Sequence, residues 1–168
     1  MSVKIRSETP ADREAIQSVT AAAFSNAPYS SHTEQFIVSE LRSTGQLTVS
    51  LVAEEGGSIV GHIAISPVTI SDGSSGWYGL GPLSVAPERQ NQGIGTQLVR
   101  QALEQLRALG AAGCVVLGDP GYYGRFGFRA EPSLVLPAVS PVHFQAIRFQ
   151  GELPAGVVSY AEAFNAQG

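Results

Sequence analysis

Two glycines at the start of a predicted helix are the first residues with a possible chemical use. Gly93 and Gly95 lie in "QNQGIGT", between a strand that ends at Val85 and an amphipathic helix predicted over 94–109. The first N–H groups of a helix have no partner inside it, and the helix dipole makes that end electropositive. Because glycines carry no Cβ, they let an anion approach these amides. The spacing therefore indicates a site for phosphate or pyrophosphate.

Three phosphate-binding patterns can be compared with this stretch. A P-loop has lysine after its last glycine, whereas Thr96 and Gln97 follow Gly95, so that pattern is excluded. A dinucleotide fingerprint has a third glycine where Leu98 stands, and the usual ribose-binding acid is missing. The third pattern is Gln or Arg, two residues, Gly, one residue, then Gly or Ala, and "VAPERQNQGIG" at 85–95 matches it. A tight turn without any ligand is the alternative.

The predicted elements place the glycines in a mixed sheet. The order is β-α-α-β-β-β-α-β-α-β followed by a β-rich tail. The helix over 94–109 joins apolar strands at 77–85 and 114–118, which predicts a parallel pair with a right-handed crossover. Hairpins before it predict antiparallel pairing, so the fold class is α/β with a mixed central sheet and helices on both faces. Gly81-Pro82 predicts a bulge, because proline cannot donate to the ladder.

Composition limits the function classes. The 168 residues suit a single domain, 1–168, and 43% hydrophobic with 14% charged residues is typical of a folded protein. A net charge of −4 provides no basic field for nucleic acid, although it does not exclude a small anionic ligand. The only cysteine, Cys114, lies in an apolar strand and is expected to be structural. We find no signal peptide and no membrane span of roughly 18 apolar residues, and expect a cytoplasmic protein.

Two separate motifs resemble the GNAT superfamily of N-acetyltransferases. The strand "LGPLSV", the loop and the helix over 94–109 are similar to its acetyl-CoA motif, and "YYGRFGF" at 122–128 is similar to its second signature. "LGDPGYYGRFGF" resembles the YhbS-like branch of that superfamily. The order of elements agrees over 3–130, the expected core. We expect residues 131–168 to form a β-rich extension with one or two strands.

The resemblance implies a GNAT-like fold in which acetyl-CoA is bound as cosubstrate. Amides from Gln92 to Thr96 would hold its pyrophosphate, and the backbone of Leu83 and Val85 would pair with its pantetheine arm. The bulge would splay the two parallel strands and admit the thioester. The implied cofactor-binding residues are Leu83, Ser84, Val85, Gln90, Asn91, Gln92, Gly93, Ile94, Gly95, Thr96, Asp119, Tyr122, Tyr123 and Phe126.

The resemblance also implies direct transfer of an acetyl group to a primary amine in a ternary complex. Tyr123 matches the general-acid position, and a phenol is protonated at neutral pH, so it can donate to the departing sulfur. Packing over the sheet is the alternative role for Tyr122 and Tyr123. A backbone N–H at Leu83 or a neighbour would stabilise the oxyanion. The three histidines lack metal-ligand spacing, so we expect no metal site.

The sequence departs from the superfamily pattern in two places. The strand "WYGLGPLSV" carries no glutamate to act as base, so Glu34 is the candidate, with Glu40, His32 and His62 as alternatives. The asparagine that usually follows the next strand is missing, and Asp119 is its possible substitute. These departures leave a second hypothesis open, an inactive acyl-CoA-binding module of the same fold.

The acceptor pocket is expected between the loop 25–33 and the tail. Its residues are neutral and aromatic, with Arg148 the only fixed cation, and they do not identify the amine. A homodimer is expected by analogy with the superfamily alone. The aromatic and histidine side chains of this region are Tyr29, His143, Phe144, Tyr160 and Phe164.

Overall fold

The computed structural model describes residues 3–25, 30 and 32–166, and Tyr29 lies outside them. The fold is built on one nine-stranded sheet. Seven strands follow the order β1-β2-β3-β4-β5-β8-β6, and β9 pairs with both β3 and β7. The strands are β1 Lys4–Ser7, β2 Val49–Glu55, β3 Ser58–Ile70, β4 Trp77–Val85, β5 Gly113–Leu117, β6 Arg129–Ala130, β7 Leu134–Val135, β8 Phe144–Arg148 and β9 Gly156–Tyr160. The helices are α1 Arg13–Phe24, α2 Glu34–Ser43, α3 Ile94–Ala108 and α4 Pro120–Tyr123.

Helices cover both faces of this sheet, as the fold-class prediction requires. The apolar stripe of α3, which includes Leu98 and Leu106, packs with Leu51 of β2 on one face. Val52, the next residue of β2, packs with residues of α1 and α2. Successive strand residues point to opposite faces, so α3 lies on one side of the sheet and α1 with α2 on the other. We call these the α3 face and the α1–α2 face.

Strands β4 and β5 part after a short parallel pairing. Residues 77–79 pair with 113–115, and the pairing ends with Gly79 opposite Val115. Beyond that point β4 continues to Val85 beside β3 alone, and its register with β3 shifts between Ile63 and Ile65. The irregularity lies opposite the stretch that contains Gly81 and Pro82. The predicted splay of the parallel pair is therefore present.

The tail was predicted with one or two strands, and that number is wrong. It contributes β7, β8 and β9, and β8 lies inside the main sheet between β5 and β6. The pairs Val115 with Ala146 and Ala130 with Gln145 fix its register on its two sides. Strand β8 was difficult to recognise among prolines and short apolar runs. A five-residue strand buried on both faces shows no alternation of apolar and polar residues. The boundary at residue 130 therefore does not separate the core sheet from the tail, because β8 of the tail lies between two strands of the core.

Candidate active site

A surface pocket of about 550 Å³ lies where β4 leaves β5 and α3 begins. Its walls come from four parts of the chain: the end of α1, the outer half of β4 with the loop that follows, the start of α3, and α4 with the turn after it. The lining residues are Ala23, Phe24, Leu83, Val85, Arg89, Gln90, Asn91, Gly93, Ile94, Gly95, Thr96, Tyr122 and Arg125. Nine of the fourteen predicted cofactor-binding residues belong to this set. Most of the residues that the sequence motifs grouped together therefore line one cavity.

The two glycines at the start of α3 differ in what they provide. Gly93 is the N-cap residue and has φ +84°, a left-handed conformation that strains any residue with a Cβ. Gly95 has an ordinary helical conformation, but a Cβ there would lie 3.0 Å from the hydroxyl oxygen of Tyr122. The first glycine therefore shapes the turn into α3, and the second keeps the floor of the pocket open beside Tyr122.

The outer half of β4 presents unpaired backbone groups to this pocket. Ala86 donates its N–H to the carbonyl of Val60 in β3 at 2.8 Å. Because backbone groups alternate sides along an antiparallel strand, those of Val85 and Leu83 point away from β3. The side-chain amide of Gln90 donates to the Val85 carbonyl at 3.1 Å from that outer side. An extended chain can therefore add itself to this edge of β4.

Tyr123 lies on the α3 face at the end of β5. Its ring packs so closely on Gly118 that a Cβ there would lie 2.5 Å from Cε2 of the ring. It makes an edge-to-face contact with Tyr122, with ring centroids 5.0 Å apart. Burial raises the pKa of the Tyr123 phenol, and the neighbouring Tyr122 and Cys114 add to that rise. Tyr123 therefore stays protonated at neutral pH, with its phenol O–H available as a hydrogen-bond donor.

The remaining predicted cofactor-binding residues lie outside the pocket lining. The Ser84 side chain is buried, and Gln92 accepts a hydrogen bond from Arg89 at 2.9 Å. Asp119 caps α4, because its carboxylate accepts from the N–H of Gly121 at 3.0 Å. Phe126 packs beside Tyr122, with ring centroids 5.5 Å apart. These positions favour a structural role for the four side chains. A contact between these residues and a ligand would therefore come from their backbone groups.

Two candidate bases occupy different places. Glu34 is the first residue of α2, and the Ser30 hydroxyl donates to its carboxylate at 2.7 Å. His62 is completely buried in β3, where its Nε2 lies 2.7 Å from the Ser50 hydroxyl oxygen. Ser50 donates its only proton to Glu8, so His62 must donate from Nε2 to Ser50. Desolvation lowers the pKa of His62 to about 4, the nearby Glu8 opposing and Arg42 assisting that shift.

The sequence interpretation missed two parts of the pocket wall. Ala23 and Phe24, at the end of α1, line it, although nothing in their spacing indicated a site. Arg89 lines it as well, held by Glu55, to whose carboxylate its guanidinium donates two hydrogen bonds. Arg125 also lines the pocket and lies over the Tyr122 ring, 4.7 Å from its centroid. Two arginines therefore border the start of α3, and one of them is already paired.

Metal-ligating side chains do not cluster in the described part of the chain, where no three His, Cys, Asp or Glu residues come together. Over the same residues, no helix is long and apolar enough to cross a bilayer. Burial raises the pKa of the Cys114 thiol, which makes this cysteine a poor nucleophile.

Comparison with known proteins decides the family. The model of the acetyltransferase (GNAT) family matches residues 14–128, more than half of the chain. The chain belongs to the GNAT acetyltransferase family. The uncharacterized N-acetyltransferase YhbS of Escherichia coli strain K12 is 36% identical over 168 residues, which cover 96% of this chain and 98% of YhbS. The resemblance drawn from the two motifs is confirmed.

Two solved structures carry the same fold with a ligand present. A GNAT family acetyltransferase from Brucella melitensis, in complex with acetyl-CoA, has 50% identity and a TM-score of 0.87, covering 97% of this chain and 98% of its own. YhbS from Escherichia coli, in complex with CoA, has 34% identity and a TM-score of 0.88, covering 99% and 93%. The predicted GNAT-like mixed fold is confirmed.

Proposed function

We propose that this protein is an N-acetyltransferase that moves an acetyl group directly from acetyl-CoA to a primary amine. The observation that carries the proposal is the gap between β4 and β5. It begins after Gly79 and Val115, with the pocket at the start of α3 on one side and Tyr123 nearby. The CoA and acetyl-CoA complexes of the two similar proteins support this assignment.

The residues at the start of α3 suit a pyrophosphate. Residues 93–96 line a pocket that a Cβ on Gly95 would narrow, and Arg125 is exposed at its border. The amides of residues 92–96 would bind the pyrophosphate there. The outward-facing backbone of Leu83 and Val85 would bind the amides of the pantetheine arm. Acetyl-CoA supplies a thioester, and these contacts would direct it toward the gap. The same site would be supported from outside the pocket lining by Ser84, Gln92, Asp119 and Phe126.

Residues of the protein would then donate and accept the protons that the transfer requires. Tyr123 holds a proton at its phenol oxygen and would give it to the sulfur as the thiolate leaves. The N–H of Leu83, which points away from β3, would stabilise the developing oxyanion. Glu34 is our candidate for the base that takes a proton from the amine, because α2, which carries it, contacts β4. Direct transfer needs no covalent acetyl-enzyme, in agreement with the protonated state of Cys114.

The test is release of free CoA thiol from acetyl-CoA in the presence of kanamycin, lysine, spermidine or an alanyl peptide. Replacing Tyr123 by Phe keeps the ring on Gly118 and removes only the acid. We expect kcat to fall about 100-fold with at least one amine, because a positioned general acid typically contributes that much. Tyr78→Phe is the matched control, since Tyr78 is another partly buried tyrosine packed on the α3 face.

The outcomes separate the two hypotheses. Turnover that depends on Tyr123 supports the transferase with Tyr123 as its acid. Full activity of the Tyr123→Phe variant would remove that residue from the mechanism. Tight CoA binding in calorimetry with no transfer to any amine would favour the inactive acyl-CoA-binding module.

A further inference from the structure

Tyr160, the last residue of β9, lies at the point where the parallel strands part. It pairs with Val68 at the far end of β3. Its ring covers Gly79 so closely that a Cβ on that glycine would lie 2.6 Å from Cε1 and 3.0 Å from Cδ1. Gly79 is the final residue of β4 that pairs with β5. The tail therefore places an aromatic ring at the mouth of the gap.

This ring approaches the gap from the face opposite Tyr123. Tyr160 packs with the cluster that contains Val115, whereas Tyr123 packs with the cluster that contains Cys114 and Val116. Neighbouring residues of β5 point to opposite faces, so the two phenols lie on opposite sides of the sheet. A thioester held on one side of the gap leaves the other side for the incoming amine.

The Tyr160 hydroxyl has no hydrogen-bond partner among the described residues, although it is buried. A buried polar group destabilises the fold when nothing pairs with it. The hydroxyl of Ser66, which stands opposite Gly79 on β3, is buried and unpaired in the same way. Two unpaired polar groups therefore flank one glycine at the edge of the gap.

Packing fixes the position of the ring. Tyr160 stacks on Phe164, with ring centroids 5.0 Å apart and planes 28° apart. Phe164 in turn packs on the cluster formed by Ile37 and Leu41 of α2 with Ala163. Burial raises the pKa of the Tyr160 phenol, and Cys114 and Tyr123 contribute further, so the group is neutral. A neutral phenol has a lone pair on its oxygen that can accept a hydrogen bond from the N–H of an amine.

We propose that Tyr160 is an acceptor-binding residue whose hydroxyl receives an N–H of the attacking amine on the α1–α2 face of the gap. This inference rests on the proposed function, which it deepens by assigning the acceptor side. The hydrogen bond would hold the primary amine beside the gap, in position to attack the thioester. The tail would then belong to the active site rather than only to the scaffold.

The test compares Tyr160→Phe with Tyr78→Phe in steady-state transfer to the amine that the wild type uses best among kanamycin, lysine, spermidine and the alanyl peptide. Phenylalanine keeps the stack on Phe164 and the cover on Gly79. We expect KM for the amine to rise about tenfold, the usual size for loss of one hydrogen bond. The Kd for CoA should stay within twofold, and the urea midpoint should not fall, because an unpaired hydroxyl stabilises nothing.

Each outcome decides the proposal. A raised amine KM with unchanged CoA affinity supports it, since a purely structural tyrosine would change stability instead. If the wild type transfers acetyl and Tyr160→Phe matches it in KM, the Tyr160 assignment is overturned while the proposed function stands. If the wild type binds CoA but acetylates none of the amines, the proposed function is overturned, and the acceptor role of Tyr160 falls with it.

Discussion

The two halves of β4 are built in opposite ways. Residues 77–79 all pair with β5, and Tyr78 and Gly79 pair with β3 as well. Trp77 is only 2% exposed and its ring lies over Gly113 of the neighbouring strand. Residues 80–85 are paired only with β3, which shows a register shift there, and His62 stands opposite Ser84. The first half is closed by aromatic packing, and the second is open along one edge.

This difference shows how a sheet can be opened without losing its core. Apolar side chains hold the strands together at one end, where a glycine lets the tryptophan ring come close. At the other end, the bulge ends the pairing and buried polar side chains stand behind the open strand. Substitutions in the closed half should therefore change the stability of the fold, and those in the open half should change ligand binding.

The largest expected effect lies in the closed half. A Cβ on Gly113 would lie 2.3 Å from Cη2 of Trp77 and 2.6 Å from the carbonyl oxygen of Ile147. Because backbone and a packed ring cannot move aside easily, we expect Gly113→Ala to lower the free energy of unfolding by about 3 kcal/mol. Urea denaturation followed by circular dichroism measures the loss. Gly124→Ala is the control, since a Cβ there meets nothing within 4 Å; equal stability of the two variants would contradict tight closure.

The next effect concerns His62, behind the open half. Its pKa of about 4 is below the value of 6.5 for an ordinary histidine, so protonation favours the unfolded chain. The stabilisation is complete above pH 6.5 and is lost as the pH falls toward 4. Between pH 7 and pH 5 the wild type should lose about 2 kcal/mol of unfolding free energy.

The matched variant is His62→Gln, which removes the titration. Its unfolding free energy should depend little on pH over the same range, because the lowered pKa values of Glu8 and Asp12 matter only under more acidic conditions. Urea midpoints at pH 7, 6 and 5 give the comparison. Parallel pH dependence of the two proteins would show that His62 is charged, or accessible, in the folded state.

The smallest effect separates binding from stability in the open half. Alanine at position 95 would place a methyl group 3.0 Å from the Tyr122 hydroxyl, on the floor of the pocket. We expect the affinity for CoA to fall about tenfold, which corresponds to ~1.4 kcal/mol. The fold should be unchanged or slightly more stable, because alanine is the better helix former. Calorimetry with CoA checks the first expectation, and unaltered affinity would move the ligand away from the start of α3.

Much of this arrangement could be predicted from the sequence, because local signals are strong there. The apolar stripe of α3 and the two glycines near its start predicted a helix that the structure begins at Ile94. Gly81-Pro82 predicted an interrupted strand, since proline has no N–H to donate. Two motifs with the right separation predicted the family. In each case the physical reason for the predicted feature lies within one short segment of the sequence.

The rest depends on contacts between distant segments. Phe24 lines the pocket only because α1 crosses the open half of β4, which no local pattern encodes. Tyr160 reaches Gly79 from more than 80 positions away because β9 pairs with the end of β3. The expected cofactor role of Asp119 could not be weighed against its capping of α4 without the geometry of that turn. Tertiary packing decides such cases, and propensity does not.

The insertion of β8 between β5 and β6 has a consequence for biosynthesis. A nascent chain that has emerged only as far as Ala130 holds β5 with one long edge bare, since its antiparallel partner ends at Arg148. An apolar strand with an unpaired edge readily joins other chains. We therefore expect this edge of β5 to be protected from association with other chains only after residue 148 has left the ribosome.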